Sequence, residues 1–307
     1  MRDQTTTAPQ DLFRPPELSH LGSPIVVFNK SHSGSRLLAT LLEEAGVFLG
    51  ANLNISKDSL DVLRLVEELV TDYYPDYSPL WDDRSSNYVG LKNLIRETFD
   101  RHLEGFTANG QAQWGWKLCE TNYILPVVDF LFPNAKFIHL IRDGRDVAFC
   151  DHRQPDTAFW KKVYFNTDRL EAWNGLRLTK EDYVARPHIY NAMHWCNSVT
   201  IGRSYGAMLR ERCLEVRYED LCLDFQKTAN RVLAFCGLEN RDGFLDRFSS
   251  TVRTASVGKY KSEPPEKLAE ILEIESPLLL SLGYDLDEAP TGKSRLWRRL
   301  FGRSHPR

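Results

Sequence analysis

Seven consecutive residues, Lys30-Ser31-His32-Ser33-Gly34-Ser35-Arg36, combine small side chains, hydroxyls and positive charge. They follow the apolar run Ile25-Val26-Val27-Phe28 and precede Leu37, Leu38, Leu41, Leu42 and Ala45 at helical spacing. That order is strand, turn, helix. The first N–H groups of a helix have no intrahelical partner and point at the space before it, so a turn of small residues there admits an anion. Lys30, His32 and Arg36 add positive charge. The chemistry implied is the holding of a phosphate or sulfate. The Walker A spacing G-x-x-x-x-G-K-[ST] is absent, which argues against an ATPase or GTPase.

Phe137–Ile141 is a second apolar strand and runs into Arg142-Asp143-Gly144-Arg145-Asp146. Arg142 and Arg145 offer bidentate donors to a phosphate beside the first loop, provided that the two strands are sheet neighbours. Asp146 is expected to cap the following helix or to pair with an arginine.

These turns must be positioned by alternating strands and helices. Strands are expected at Ile25–Phe28, Trp114–Leu118, Phe137–Ile141 and Cys213–Val216. Helices are expected after Ser35, over 58–70 with Ser56 or Asp58 as N-cap, over 91–107, Ile124–Phe132, His188–Arg210 and Phe225–Cys236. The pattern predicts a single α/β domain of three layers around a central, mainly parallel sheet, P-loop-like, with insertions at about 71–112 and 151–187. Residues 1–23 read as a loose arm, 24–290 as the domain and 291–307 as a basic tail.

Bulk composition narrows the classes. The 307 residues are 42% apolar with a formal net charge of -3, so a sizeable core is expected and no polyanion partner is advertised. Nucleic acid is therefore not an expected partner. Six cysteines occur without C-x-x-C spacing, which predicts free thiols and neither a zinc ribbon nor a redox pair. No His/Asp/Cys cluster has clean metal-ligand spacing, and no metal is expected. The polar start of the chain has no secretory h-region and no run approaches a membrane span, so a cytoplasmic location is expected.

The two loops together resemble those of the sulfotransferase family that uses 3′-phosphoadenosine-5′-phosphosulfate (PAPS). The resemblance is carried by Phe28–Leu38, by Trp114-Gly115-Trp116-Lys117 with Leu125-Pro126, by Phe132–Ala148 and by Val216-Arg217-Tyr218-Glu219-Asp220-Leu221. Val257-Gly258-Lys259-Tyr260-Lys261, with Gly283-Tyr284, extends it, so that it spans residues 25 to 284. It implies transfer of a sulfuryl group from PAPS to an acceptor hydroxyl or amine. Ser33, Gly34, Ser35 and Arg36 would bind the 5′-phosphate with Lys30, and Arg142 the 3′-phosphate. Tyr218 would pack near the adenine, Lys259, Tyr260 and Lys261 would close over the nucleotide, and Lys117 would reach the transferring group. Two positions depart from the family pattern. His32 stands where a Lys or Arg is usual, and Cys150 replaces a serine on the 3′-phosphate with a poorer donor.

His32, Lys117 and Asp58 are the candidate catalytic residues. For the general base, Asp58, Asp61, Glu120 and His152 all remain open. The acceptor is not legible: a glycan, a lipid or a small alcohol would each suit, and Tyr73, Tyr74, Tyr77 and Trp81 could stack on one or simply pack. Over 291–307, Lys293, Arg295, Arg298, Arg299, Arg303 and Arg307 interleave with Leu296, Trp297, Leu300 and Phe301. Such a tail would suit weak contact with an anionic membrane surface, or be solvated. The alternatives to a sulfotransferase are an ATP-using P-loop kinase and a non-catalytic nucleotide-binding relative.

Overall fold

The run 25–28 becomes strand β1 (Ile25–Asn29), buried along its whole length. Val26 and Phe28 face one hydrophobic layer while Ile25 and Val27 face the other, which is why the run is continuous rather than alternating. The computed structural model describes residues 22–81, 88–106, 113–151 and 185–286. The arm 1–21, His152, most of the 151–187 segment and the tail 291–307 lie outside them.

Four further strands, β2 (Val47–Phe48), β3 (Gln113–Lys117), β4 (Lys136–Ile141) and β5 (Cys213–Arg217), complete a sheet of order β2-β3-β1-β4-β5. Every pairing is parallel. The order runs outward from β1 in both directions. In such sheets the loops at the carboxyl ends of the central strands share one crevice. β1 and β4 are neighbours, with Asn29 opposite Leu140, so the two basic turns emerge side by side.

On one face lie α1 (Ser35–Glu44), α7 (Tyr218–Leu223), α8 (Phe225–Cys236) and α9 (Phe244–Ser249). On the other lie α2 (Leu60–Tyr73), α3 (Tyr88–His102), α4 (Leu125–Leu131), α5 (Gly144–Ala148), α6 (Pro187–Leu209) and α10 (Pro265–Ser281). The three-layer expectation is met. Two elements had no clear signal. β2 is two residues long, and α10 is interrupted in pattern by Pro277. The segment 71–112 is more than an insertion, since Ile95 and Phe99 of α3 are buried in the core with Trp114, Trp116 and Phe132.

One N-cap differs from expectation, and of the two roles expected for Asp146 the structure shows the pairing with an arginine. α2 is capped by Ser59, whose Oγ accepts from Val62 N at 3.2 Å, not by Ser56 or Asp58. Asp58 is engaged elsewhere, as shown below. α5 is capped by Asp143, which accepts from Arg145 N at 3.0 Å, and this frees Asp146 for a different role. Tyr77 of the aromatic stretch is turned inward and donates to Tyr123 O at 2.7 Å, with Tyr74 set edge-on to the Tyr123 ring. All six cysteines are free thiols.

One buried group makes a testable stability prediction. His139 of β4 stacks on Phe28 at 4.6 Å, and its Nδ1 has no hydrogen-bond partner. Burial, and then the Arg203 charge, lower its pKa to about 3. Below pH 6.5 the unfolded chain takes up a proton that the fold refuses. Stability therefore falls with acidification at about 1.4 kcal/mol per pH unit for this group, down to its folded pKa. His139→Phe should fill the same slot without titrating. Its stability relative to wild type, from urea melts, is expected to rise by about 1.4 kcal/mol per unit between pH 6 and pH 4. A constant difference would show that His139 is not held neutral.

Candidate active site

The first turn is wound tightly around the carbonyl of Lys30. Ser33 N donates to Lys30 O at 3.2 Å and Ser33 Oγ donates to the same oxygen at 2.6 Å. His32 and Gly34 both take left-handed backbone angles, with φ of 67° and 82°. Alternation of this kind produces the concave N–H surfaces that take anions. Gly34 is required twice over. A side chain is strained at its φ, and a Cβ there would fall 2.1 Å from Cε2 of Tyr218. Gly34 leads directly into α1, where Ser35 is buried at the N-terminus.

Lys30, not His32, is the embedded cation of this loop. Its side chain is 3% exposed and its Nζ donates to Ser31 Oγ at 2.7 Å. Burial pulls its pKa down to about 8, partly offset by Cys119 and Glu120. His32 reaches solvent. Partial desolvation, then the charges of Lys30 and Arg142, hold its imidazole below the ordinary histidine pKa. Arg36 is exposed on the outer side of α1.

The second turn joins the first through Arg142. Its Nη1 donates to His32 O at 2.9 Å, while Nη2 donates to Asp146 Oδ2 at 3.2 Å and to Ser256 O. The guanidinium lies 4.9 Å above the Tyr218 ring, and its buried Nε has no partner. Arg145 does not face the crevice as expected from its position. It forms a bidentate pair with Asp143 and stacks 4.2 Å over Tyr260. Cys150 donates its thiol to Asp146 O at 3.3 Å.

Asp146 is the hub that spacing alone did not reveal. Its carboxylate accepts from Arg142, from Gly258 N at 2.9 Å and from Tyr260 N at 3.0 Å. It ties α5 to the 257–261 turn, where Lys259 and Lys261 are exposed and Tyr260 is buried. A second tie runs through Glu219, which accepts from Asp143 N at 3.0 Å and from the Tyr284 hydroxyl at 2.9 Å. Trp195 Nε1 donates to Arg142 O at 2.9 Å. The i, i+4 spacing of Arg142 and Asp146 was a legible signal. The partners 112 to 114 residues downstream were not.

Beyond β3 a third group of charges meets the first loop. Lys117 Nζ donates to Asp58 Oδ1 at 2.5 Å and to Ser56 O at 2.9 Å, and the lysine is only 2% exposed. Asp58 Oδ2 accepts from Asn54 Nδ2 at 3.0 Å. Glu120 follows in the 3-10 turn Cys119–Tyr123 and interacts electrostatically with Lys30, Lys117 and Asp58. Asp61 is not part of this group. It lines a small cleft between α2 and α3 with Arg64, Leu94, Glu97, Thr98 and Arg101. Among the described residues, no group of three or more His, Cys, Asp or Glu could hold a metal ion. Among the same residues, no helix is long and apolar enough to cross a membrane.

A family model described as the sulfotransferase family matches residues 24–242. No curated protein matches the chain. Among solved structures, the sulfotransferase domain from the curacin biosynthetic pathway is similar at 18% identity and a TM-score of 0.50, covering 86% of this chain and 99% of that one. The sulfotransferase domain of the Synechococcus PCC 7002 olefin synthase gives 19% identity and a TM-score of 0.45, covering 86% and 96%. A sulfotransferase from Alicyclobacillus acidocaldarius gives 16% and 0.43, covering 87% and 98%.

Proposed function

The chain belongs to the sulfotransferase family, and on that premise we propose that it moves a sulfuryl group from PAPS to an acceptor hydroxyl or amine by in-line transfer. The second product is adenosine 3′,5′-bisphosphate (PAP). The observation that carries the reading is the meeting of the Lys30–Arg36 loop and Arg142 at the carboxyl ends of adjacent parallel strands. The residues suit a polyanionic nucleotide. Two buried cations stand there, and the inaccessible Nε of Arg142 has no partner within the protein.

When bound, PAPS supplies the sulfuryl group together with a phosphate leaving group. The chain must supply in-line placement and positive charge where the leaving oxygen becomes anionic. Ser33, Gly34, Ser35 and Arg36 hold the 5′-phosphate at the start of α1. Lys30 provides the charge that His32 lacks, while His32 fixes Arg142 through its carbonyl. Arg142 holds the 3′-phosphate with Cys150 beside it, and Tyr218 borders the adenine. Lys259, Tyr260 and Lys261 form the covering turn. Lys117 faces the transferring group and Asp58 orients it.

The acceptor is a glycan, lipid or small alcohol, reached without metal or nucleic acid. The basic tail 291–307 adds weak contact with an anionic membrane surface from a cytoplasmic location.

PAP at a hundred times its Kd should stabilise the chain by about 2.7 kcal/mol, and raise its Tm by about 5 °C or more. Arg142→Ala should remove most of that shift. Magnesium with ATP is the control for a kinase. No shift with PAP in the wild type, or a shift only with magnesium and ATP, would overturn the reading.

A further inference from the structure

We propose that Glu120 is the general base that takes the acceptor's proton, an assignment that rests on the sulfuryl-transfer reading above. Four carboxylates or imidazoles could be considered from the sequence. Asp58 has both oxygens engaged, one by Lys117 and one by Asn54. Asp61 faces the cleft between α2 and α3. His152 lies outside the described residues. Glu120 is buried in the 3-10 turn that follows β3, just after Lys117, and that turn packs against β1. Val27 pairs with Lys117; beyond that pair β1 leads to Lys30 and β3 to the turn of Glu120, and the two charges interact.

The backbone there is firmly held. Leu118 N donates to Val27 O at 3.0 Å and Thr121 N to Leu118 O at 3.3 Å, while Trp116 Nε1 donates to Thr121 Oγ1 at 3.0 Å. Glu120 is faced by Lys30 from the loop after β1, by Lys117 from β3 and by Asp58 from the loop before α2. Cys119 and Tyr123 flank it on its own turn, and α6 presents the neutral Ser198 to that turn. Burial, and then Asp58, push its pKa up to about 7, against the pull of the two lysines. A carboxylate of that basicity is matched to proton abstraction near neutral pH.

The step balances. The acceptor O–H proton passes to a Glu120 carboxylate oxygen, and the acceptor oxygen forms the new O–S bond. The S–O bond to the 5′-phosphate breaks, its electron pair staying on the phosphate oxygen beside Lys30.

The test compares wild type with Glu120→Gln and Glu120→Asp in the full chain. With PAPS and 2-naphthol as acceptor, wild-type kcat/KM should rise with pH along an acid limb near 7. Glu120→Gln should lower it by about 100- to 10,000-fold and lose the limb, whereas Glu120→Asp should restore the limb with part of the rate. A second readout needs no turnover. PAP binding near pH 7, followed by calorimetry in buffers of different ionisation enthalpy, should be accompanied by extra proton uptake in wild type that Glu120→Gln lacks. That difference reports the bound 5′-phosphate raising the proton affinity of Glu120. Glu120→Gln must still bind PAP, which separates this assignment from the donor reading. The proposal is overturned if Glu120→Gln keeps the wild-type rate and acid limb, or shows the same proton uptake. Absence of PAP binding in wild type would instead sink the donor reading and this assignment with it.

Discussion

Asp146→Ala should destabilise the fold by about 3–5 kcal/mol, the range for removing one partner of a buried ion pair, and should abolish PAP binding. The carboxylate is completely inaccessible and accepts three hydrogen bonds, from Arg142, Gly258 and Tyr260. Alanine leaves the buried Tyr260 N–H and the part-buried Gly258 N–H unsatisfied and the guanidinium without its counter-ion. Arg142 already holds one unpartnered nitrogen, and would have to reach solvent or another carbonyl. The 257–261 turn would then detach from α5, carrying Lys259 and Lys261 away from the crevice. Asp146→Asn is the informative companion. It keeps size and one acceptor, but sets an NH2 group against donors, so it should be intermediate in stability and still poor in binding. Urea melts and PAP calorimetry on both variants measure the two effects. Stability and binding both unchanged in Asp146→Ala would refute the hub.

Lys30→Met should produce the opposite combination, a fold at least as stable and a rate reduced by about 100- to 1,000-fold, the size of effect seen when one preorganised charge-stabilising donor is lost. The lysine is buried, and its depressed pKa means that the fold bears a desolvation penalty. From 10.5 to about 8 the shift corresponds to something on the order of 3 kcal/mol at pH values below 8. Between about pH 8 and 10.5 the unfolded chain holds a proton that the fold has released, so wild-type stability rises with pH through that window. Methionine removes the penalty and the slope together. The rate should follow the charge instead. Wild-type transfer of a sulfuryl group to 2-naphthol should decline as pH rises through about 8, and Lys30→Met should lack that alkaline limb. His32→Lys would place a permanent cation where the family resemblance leads one to expect it. In the Lys30→Met background it is the natural rescue. A Lys30→Met enzyme with wild-type rate would return the leaving-group role to His32 or Arg36.

The two basic turns were legible in advance because each depends on contiguous residues. A strand buried on both faces must be apolar throughout, and a helix start that admits an anion needs small residues next to it. Ile25–Arg36 and Phe137–Asp146 satisfy both conditions within about ten residues. Their adjacency was a condition that the sequence left open, and the β1–β4 pairing met it. Helices with an unbroken apolar period were legible for the same local reason, whereas Pro277 masked α10.

What the sequence determined by itself was therefore the sheet's class, its central strands and the place of the two basic turns, because local periodicity and turn chemistry depend on near neighbours. The tertiary structure alone decided how the charges are divided. It paired Arg145 with Asp143, engaged Asp58 with Lys117 and Asn54, made Asp146 a hub for residues far downstream, and buried Lys30 while leaving His32 exposed. Those outcomes depend on which side chains meet across strands and on how much water each loses. Burial and long-range pairing set the worth of a charge, and neither is a property of spacing along the chain.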